Sequence, residues 1–424
     1  MNETGGTQVV RRRFRVWGEL TAWALYDLAN QFFVVNIVSL YFVRWLTGEK
    51  ALPEIVYSLT YGISTAVVAV VAPAMGTYAD RFGQHRRLLI ACTLVSALFT
   101  VFLGTNSPVW LMLVYFAIAN ATCQQASIFY NSLMRSVTGS YSPGVVSGMG
   151  KVFGYAGAIL AIGVSKPLMR ECGYPPVFLL TGVLFALFAL PCMLWVREPD
   201  IHDGGRERSM PAIGAELRAT LRMLARSEHA ALTLFFRACF LGLCAINTVM
   251  LFVSVYAHIV LEMDEAAMAD FMVVGTSAAM AGSIAFGIFS DRCGGRRAMF
   301  AVFMLWMCCL SAAVAGDYHW RWLIGILAGL SLGGTWVVSR SVLIEICPPQ
   351  RSGEIFGMFA LVGYLSAIIG PLLWSALVLV IGGWGAIGYR ISLAVFIIFL
   401  AAAAALLRRM PAAQFDKKSG QVFT

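Results

Sequence analysis

Charge-free apolar runs recur along the chain and cut it into segments of the length a bilayer requires. Residues 55–79, 172–196, 271–290, 298–316, 322–339 and 391–407 each form one run. The 88–134 run is 47 residues long and is broken by Thr105-Asn106-Ser107-Pro108, so it predicts two spans. The 355–389 run predicts one span and a turn at Gly382-Gly383-Trp384-Gly385. Three more segments, 16–43, 145–165 and 230–260, keep the same apolar character around isolated charges. Crossing a hydrocarbon core about 30 Å thick takes roughly 20 such residues, and the pattern predicts twelve spans. In lipid every backbone amide needs an internal partner, which leaves helices or closed barrels. The alternating ten-residue segments of a barrel are missing. The expected fold class is all-α integral membrane.

Composition agrees. Apolar residues make up 59% of the 424 and charged ones only 12%, against about 25% charged in soluble domains. That excludes a soluble enzyme, a disordered chain and a secreted disulfide scaffold. The ten Cys are scattered, with Cys308-Cys309 the one close pair, and neither CxxC nor a His/Cys zinc spacing occurs. A net charge of +9 raises the question of which loops carry it. With the amino terminus inside, about 24 of the 31 Lys and Arg fall on the cytoplasmic side. Arg44, Lys50, Lys166, Arg170, Arg321 and Arg390 fall outside, and Arg237 lies within a span. The positive-inside rule then places both termini in the cytoplasm.

The basic tail, residues 1–15, contains Arg11-Arg12-Arg13-Phe14-Arg15 and shows no small-residue cleavage site, so it does not read as a cleaved signal peptide. Two six-span halves, 16–196 and 230–409, flank a linker, 197–229, and 410–424 form a second cytoplasmic tail. Within the linker, Ile213, Leu217, Leu221 and Leu224 recur at helical spacing with Arg218, Arg222 and Arg226 between them. This predicts an amphipathic helix, lying on the leaflet or solvated as a linker. Basic clusters in the tail and linker suit anionic lipid better than nucleic acid.

The halves repeat each other. Gly76, Asp80, Arg81, Gly83, Arg86 and Arg87 end span two; Gly287, Asp291, Arg292, Gly294, Arg296 and Arg297 end span eight, with the two Asp 211 positions apart. Gly148-Met149 with Gly154-Tyr155 matches Gly357-Met358 with Gly363-Tyr364, 209 positions later. Parallel six-helix repeats are the mark of a transporter that rocks about a central site.

The loop Gly-x-x-x-Asp-Arg-x-Gly resembles the signature of the major facilitator superfamily. Three more segments resemble its vacuole-effluxer-like branch, which includes bacterial permeases and the fungal autophagy-related amino-acid effluxer. They are Trp23-Ala24-Leu25-Tyr26-Asp27-Leu28-Ala29-Asn30, Phe129-Tyr130-Asn131, and Ser339-Arg340-Ser341 ahead of Phe356-Gly357. The chain departs from that branch at Gln31 and at Met134-Arg135. The resemblance implies two pseudo-symmetric six-helix halves around a cavity lined by spans one, four, seven and ten, and a monomer. It also implies a cytoplasmic latch formed by Gly76, Asp80, Arg81 and Arg87 with Gly287, Asp291, Arg292 and Arg297, the Asp bonding across the half-domain interface when that side is shut. Arg340 and Glu345, near the cytoplasmic end of span ten, and Arg135, near that of span four, are expected to form an inner gate network or to anchor at the interface.

Several residues point to a solute pathway. Asp27 lies 11 residues into its span, ~16 Å deep at 1.5 Å per residue. An acid at that depth is expensive and marks function by default: it loads a proton, handles substrate, or serves as a structural ion pair. Arg237, about 10 Å deep, is a candidate partner across the cavity or a snorkelling anchor. Lys151 reads as interfacial. Asn120, Gln124, Ser127 and Asn131 share one face of span four, and Ser331, Thr335 and Ser339 one face of span ten. Asn247, Ser254 and His258 make a looser stripe on span seven, and Asn30 and Gln31 adjoin Asp27. These faces are expected to line a pathway or to glue helices.

No Gly-x-x-x-x-Gly-Lys-[Ser/Thr], His-Glu-x-x-His, haem or dinucleotide motif occurs. The expectation is therefore a secondary transporter, not an enzyme, without cofactor or resident metal, exchanging a small molecule or ion across the bilayer. Proton-coupled movement of an amino acid or similar polar metabolite is the leading reading. An iron or iron-chelate carrier of the magnetosome type is one alternative, and a non-transporting scaffold or receptor is the other. The expected membrane is the bacterial inner membrane, or an organelle membrane of vacuolar or magnetosomal type.

Overall fold

The computed structural model describes residues 3–52, 54–105, 107–138, 141–198, 230–263, 265–347 and 351–410. Among these residues twelve helices have the length and apolarity to cross a bilayer, and no strand occurs. The amphipathic helix expected at 213–224 lies outside the described residues, as does the second tail beyond 410.

The helix that carries span one runs Glu3–Phe33 and continues through two π-helical stretches, Val34–Leu40 and Trp45–Glu49, separated by Tyr41–Arg44; its membrane-crossing stretch is Trp17–Arg44. Spans two to six are Glu54–Phe82, His85–Phe102, Val109–Thr138, Pro143–Cys172 and Tyr174–Trp195. Spans seven to twelve are Ala230–Val260, Glu265–Cys293, Gly295–Ala315, Arg321–Ile346, Ser352–Ile381 and Ala386–Arg408. Isolated charges inside spans one, five and seven do not interrupt them, because a helix satisfies its own amides whatever side chain it carries. Pro73, Pro167, Pro191 and Pro371 sit inside helices, which membrane helices tolerate when neighbours resatisfy the freed carbonyl.

Helix ends follow local chemistry. Pro143 opens span five after an extended Ser142, the first-turn position where a missing N–H costs nothing. Gly83 and Gly294 take φ of +59° and +85° between spans two and three and between eight and nine. Left-handed backbone of this kind ends a helix at once and is open to glycine without strain, so the repeated Gly of the loop motif has a conformational cause.

The chain folds as two compact units. Unit 1 holds the described residues of Met1–Ser142, Met149–Glu216 and Pro348–Gly357; unit 2 holds those of Pro143–Gly148, Leu217–Cys347 and Met358–Thr424. The linker is therefore not the whole boundary. Unit 1 includes the first turn of span eleven, and unit 2 includes the first turn of span five. Glycines explain the exchange. A Cβ on Gly353 would lie 2.6 Å from the carbonyl oxygen of Gly76, and one on Gly357 would lie 2.7 Å from that of Ala72. In unit 2 a Cβ on Gly287 would lie 2.6 Å from the oxygen of Gly144, and one on Gly148 would lie 3.0 Å from that of Ser283. Small residues let backbones touch, and the touching backbones here belong to different sequence repeats.

Aromatic side chains fill the core of unit 1. Trp23 and Tyr26 both stack on Tyr130, with centroids 4.5 and 4.7 Å apart, and Phe42 stacks on Phe116 at 4.7 Å. Unit 2 buries Phe235, Phe303, Trp306 and Phe396 completely or nearly so.

Candidate functional site

Asp27 is the acid that an apolar span should not contain, and unit 1 buries it: its side chain is 6% exposed. Its carboxylate lies 3.5 Å from the ammonium of Lys151 on span five. The packing that brings them together is again glycine-based. A Cβ on Gly150 would lie 3.0 Å from Asp27 Oδ2 and 2.8 Å from the Trp23 ring, and one on Gly157 would lie 2.5 Å from the Leu28 oxygen. Span five can therefore press its backbone on span one, and Lys151, next to Gly150, is carried to Asp27. Sequence spacing looked to Arg237 for that partner and placed Lys151 at the interface. The depth of a charge along one helix does not say which helix lies beside it. Arg237 is exposed on span seven, within unit 2.

Unit 1 holds further polar groups on spans one and four. Asn30 Oδ1 accepts from the Cys123 thiol at 3.0 Å, and Gln31 lies against Gly154. Asn120 donates to Ser64 Oγ at 2.7 Å and Gln124 to Thr65 Oγ1 at 3.0 Å. The span-four stripe thus faces span two. Ser127 turns its hydroxyl to its own Cys123 carbonyl, and Asn131 is half-buried one turn further on. Gln125 went unnoticed in the sequence, yet it is buried, and among the described residues neither of its side-chain polar atoms has a hydrogen-bond partner. Asn36 was also missed: it is fully buried in the first π stretch and donates to Ser165 at 2.8 Å and Thr181 at 2.9 Å. Single polar residues inside apolar runs have no period to announce them.

In unit 2 the span-ten stripe is enclosed. Ser331, Thr335 and Ser339 are at most 1% exposed, and each hydroxyl bonds the carbonyl four residues back. Thr335 also accepts from the Trp306 indole at 2.9 Å. Asn247 donates to Ser366 on span eleven at 3.0 Å. The side chain of Ser254 lies outside the description, and His258 is at the far end of span seven. Unit 2 also contains a cavity walled by Phe252, Tyr256, Phe271, Leu310, Ile324 and Trp374, and among the described residues no carboxylate, ammonium or guanidinium lines it. Among the described residues no three His, Cys, Asp or Glu side chains form a set able to hold a metal ion.

The repeated loop motif forms two matching clasps. Asp80 accepts from the Gly353 N–H at 2.8 Å and the Glu354 N–H at 2.7 Å. Asp291 accepts from the Gly144 N–H at 2.8 Å and the Val145 N–H at 2.9 Å. Each Asp ends its own helix, where the macrodipole opposes an anion. Each is compensated by the orphan first-turn amides of another helix, which attract one. Gly76 and Gly287 make the close approach that the clasps need. Arg81 is half-buried, while Arg87, Arg292 and Arg297 are exposed.

Arg86 and Arg296, one per repeat, reach the ends of spans six and twelve. Arg86 donates to the Met193 and Leu194 carbonyls, and Arg296 to that of Met410. Arg340, only 5% exposed, donates through Nε to Ser147 Oγ at 3.0 Å and through Nη2 to the Ser147 carbonyl at 2.9 Å. It thereby fixes the first turn of span five inside unit 2, and Glu345 lies half-buried near Gly295.

With this geometry in hand, relatives become informative. A Bacillus subtilis protein described as an MFS-type transporter, YxiO, is 24% identical over 83% of this chain and 86% of its own. An Aquifex aeolicus protein is 26% identical over 84% of this chain and 88% of its own. Autophagy-related protein 22 of Saccharomyces cerevisiae is 47% identical over 51 residues, 12% of this chain and 10% of its own. Among solved structures, the human organic anion transporter MFSD10 covers 93% of this chain and 99% of its own, at a TM-score of 0.73 and 15% identity. A bacterial homologue of the iron transporter ferroportin covers 93% and 98%, at 0.70 and 15% identity. These likenesses give the major facilitator fold, and the chain is a multi-pass membrane transporter rather than an enzyme. The model of the family "Vacuole effluxer Atg22 like" matches residues 42–143 and 139–413, and the chain belongs to that family.

Proposed function

We propose that this protein moves a small polar solute of the amino-acid class across its membrane by alternating access, coupled to protons through Asp27 and Lys151. The observation that carries the reading is the buried ion pair itself. An acid and an amine 3.5 Å apart among membrane helices are retained at a cost in stability, and such a pair is a functional hypothesis by default. A proton arriving at Asp27 dissolves the pair and frees the Lys151 ammonium; loss of the proton restores it. Asn30, Gln31, Asn120, Gln124, Ser127 and Asn131 supply neutral donors and acceptors for the solute on the same unit. On the second unit, Arg237, Asn247, Thr335 and Ser339 belong to the expected pathway. The clasps at Asp80 and Asp291, with Arg340, close the side that the positive loops assign to the cytoplasm. The division at residues 197–229, the cytoplasmic termini and a monomeric state complete the reading.

The test is uptake of labelled amino acids into proteoliposomes with and without a pH gradient. In the wild type the gradient accelerates uptake. Asp27→Asn abolishes that acceleration while exchange of solute for solute persists. Undiminished gradient-driven uptake in Asp27→Asn overturns the coupling role. A wild-type protein that neither takes up nor exchanges any amino acid overturns the solute class, and competition by ferrous or ferric ion would point to the metal cargo.

A further inference from the structure

The clasp of unit 1 differs from that of unit 2 by a histidine. His85 begins span three, and its ring is completely buried. Nε2 lies 3.0 Å from Asp80 Oδ1, and Nδ1 lies 3.0 Å from Glu198 Oε1. Glu198 follows span six and also accepts from the backbone N–H groups of His85, at 2.5 Å, and Arg86, at 2.8 Å. The ring thus bridges the end of span two to the end of span six, while Asp80 holds the start of span eleven. At the matching place in the second repeat the chain has Gly295.

Proton counting makes this bridge conditional. Asp80 accepts two backbone N–H bonds, and so does Glu198, so each turns acceptor oxygens toward the ring. A neutral imidazole has one N–H and one lone pair, and its lone pair would face a carboxylate oxygen. Both contacts are bonds only when the three groups share one proton more, as an imidazolium between two anions. Burial works against the charge and two carboxylates at hydrogen-bond distance work for it. Of the other charged groups nearby, Arg86 bonds the Met193 and Leu194 carbonyls, Glu354 pairs with Arg351, and Arg81 stands half-buried beside Asp80. The first turn of span eleven presents Gly353, whose Cβ would lie 2.9 Å from His85 Nε2, so at that position span eleven meets the ring with backbone alone.

We propose that His85 is a positioning residue that holds Asp80 against the first turn of span eleven only while it is protonated, so that the clasp of unit 1 loosens as pH rises and the clasp of unit 2 does not. The inference goes beyond the role given to Asp27 and Lys151, and it rests on Asp80 holding span eleven.

Backbone hydrogen exchange reads the contact directly, through the amides of Gly353 and Glu354 in unit 1 and of Gly144 and Val145 in unit 2. Full-length protein in nanodiscs is followed across neutral to alkaline pH, each peptide being compared with His85→Gln at the same pH to cancel the intrinsic pH dependence. Expected in the wild type is an added loss of protection at the 352–358 peptide, about tenfold for one charge-assisted bond, with none at the 143–148 peptide. His85→Gln is already exposed at neutral pH and lacks the added step. If His85→Gln folds poorly, the wild type suffices: the His85 ring resonance must titrate together with the step. An identical profile in the two proteins, or a ring that titrates without any change in protection, overturns the proposal. Asp80→Asn separates the failures. Should it leave the 352–358 amides protected, the Asp80 clasp itself is wrong; should it expose them while His85→Gln does not, only the role of His85 falls.

Discussion

The Asp27–Lys151 pair makes an asymmetric prediction. At 3.5 Å and an effective dielectric constant near 20, the attraction is about 5 kcal/mol before desolvation is charged against it. The two partners are not equally trapped. Asp27 is 6% exposed and Lys151 20%, and a four-carbon stem lets an ammonium turn toward water in a way a short acid cannot. Lys151→Met takes the counter-charge from the enclosed acid and should cost about 3 kcal/mol, the low end for a buried pair broken on one side. Asp27→Asn leaves the mobile partner and should cost about 1 kcal/mol. The double variant should cost less than the sum, because neither charge then remains. Equilibrium unfolding in mixed detergent micelles of graded SDS content gives all three, the larger single effect amounting to roughly a hundredfold in the unfolding constant. Equal single costs would refute the argument from burial, and strict additivity would refute the pair.

Two further outcomes test the packing. Gly353→Ala and Gly287→Ala each force a Cβ to 2.6 Å from a facing carbonyl and should cost about 1–3 kcal/mol. Gly62→Ala and Gly163→Ala meet nothing within 4 Å and should gain up to about 1 kcal/mol of helix propensity; the same unfolding assay would find the idea wrong if all four behaved alike. Arg340→Lys keeps the charge but replaces a two-nitrogen grip on Ser147 with a single nitrogen centre. The loss should be about 1.5–3 kcal/mol, seen as a lower thermal midpoint, and an unchanged midpoint would show that charge alone holds that turn.

Much of the architecture could be read from the chain because lipid imposes a strict rule. Span seven runs Ala230–Val260, matching the apolar segment despite Arg237, and the break at Thr105 to Pro108 falls between Phe102 and Val109. Ends near charges were harder to read. The helix of span five extends to Cys172 past Lys166 and Arg170, and the helix that carries span one starts at Glu3, ahead of its membrane-crossing stretch Trp17–Arg44. The clasp residues were legible because the motif occurs twice. Their partners were not, since a backbone N–H carries no sequence signature. Glu198 and His85 were in plain view, but a carboxylate that caps a helix 112 or 113 positions away has no local pattern. Nothing in Val-Val-Asn-Ile-Val-Ser-Leu at 34–40 distinguishes a π turn from an α turn, so the widening of span one escaped notice.

That widening sets how span one is phased. A π stretch stores an extra residue relative to α winding, and one residue is about 100° of rotation at 3.6 per turn. The rod is consequently two lengths of thread joined out of step. The first length aims Asp27 at Lys151, and the second aims Phe42 at Phe116 and Trp45. Rewinding the joint to regular pitch would swivel one end while the other stayed fixed, so the acid and the aromatic anchor can be oriented independently on a single helix.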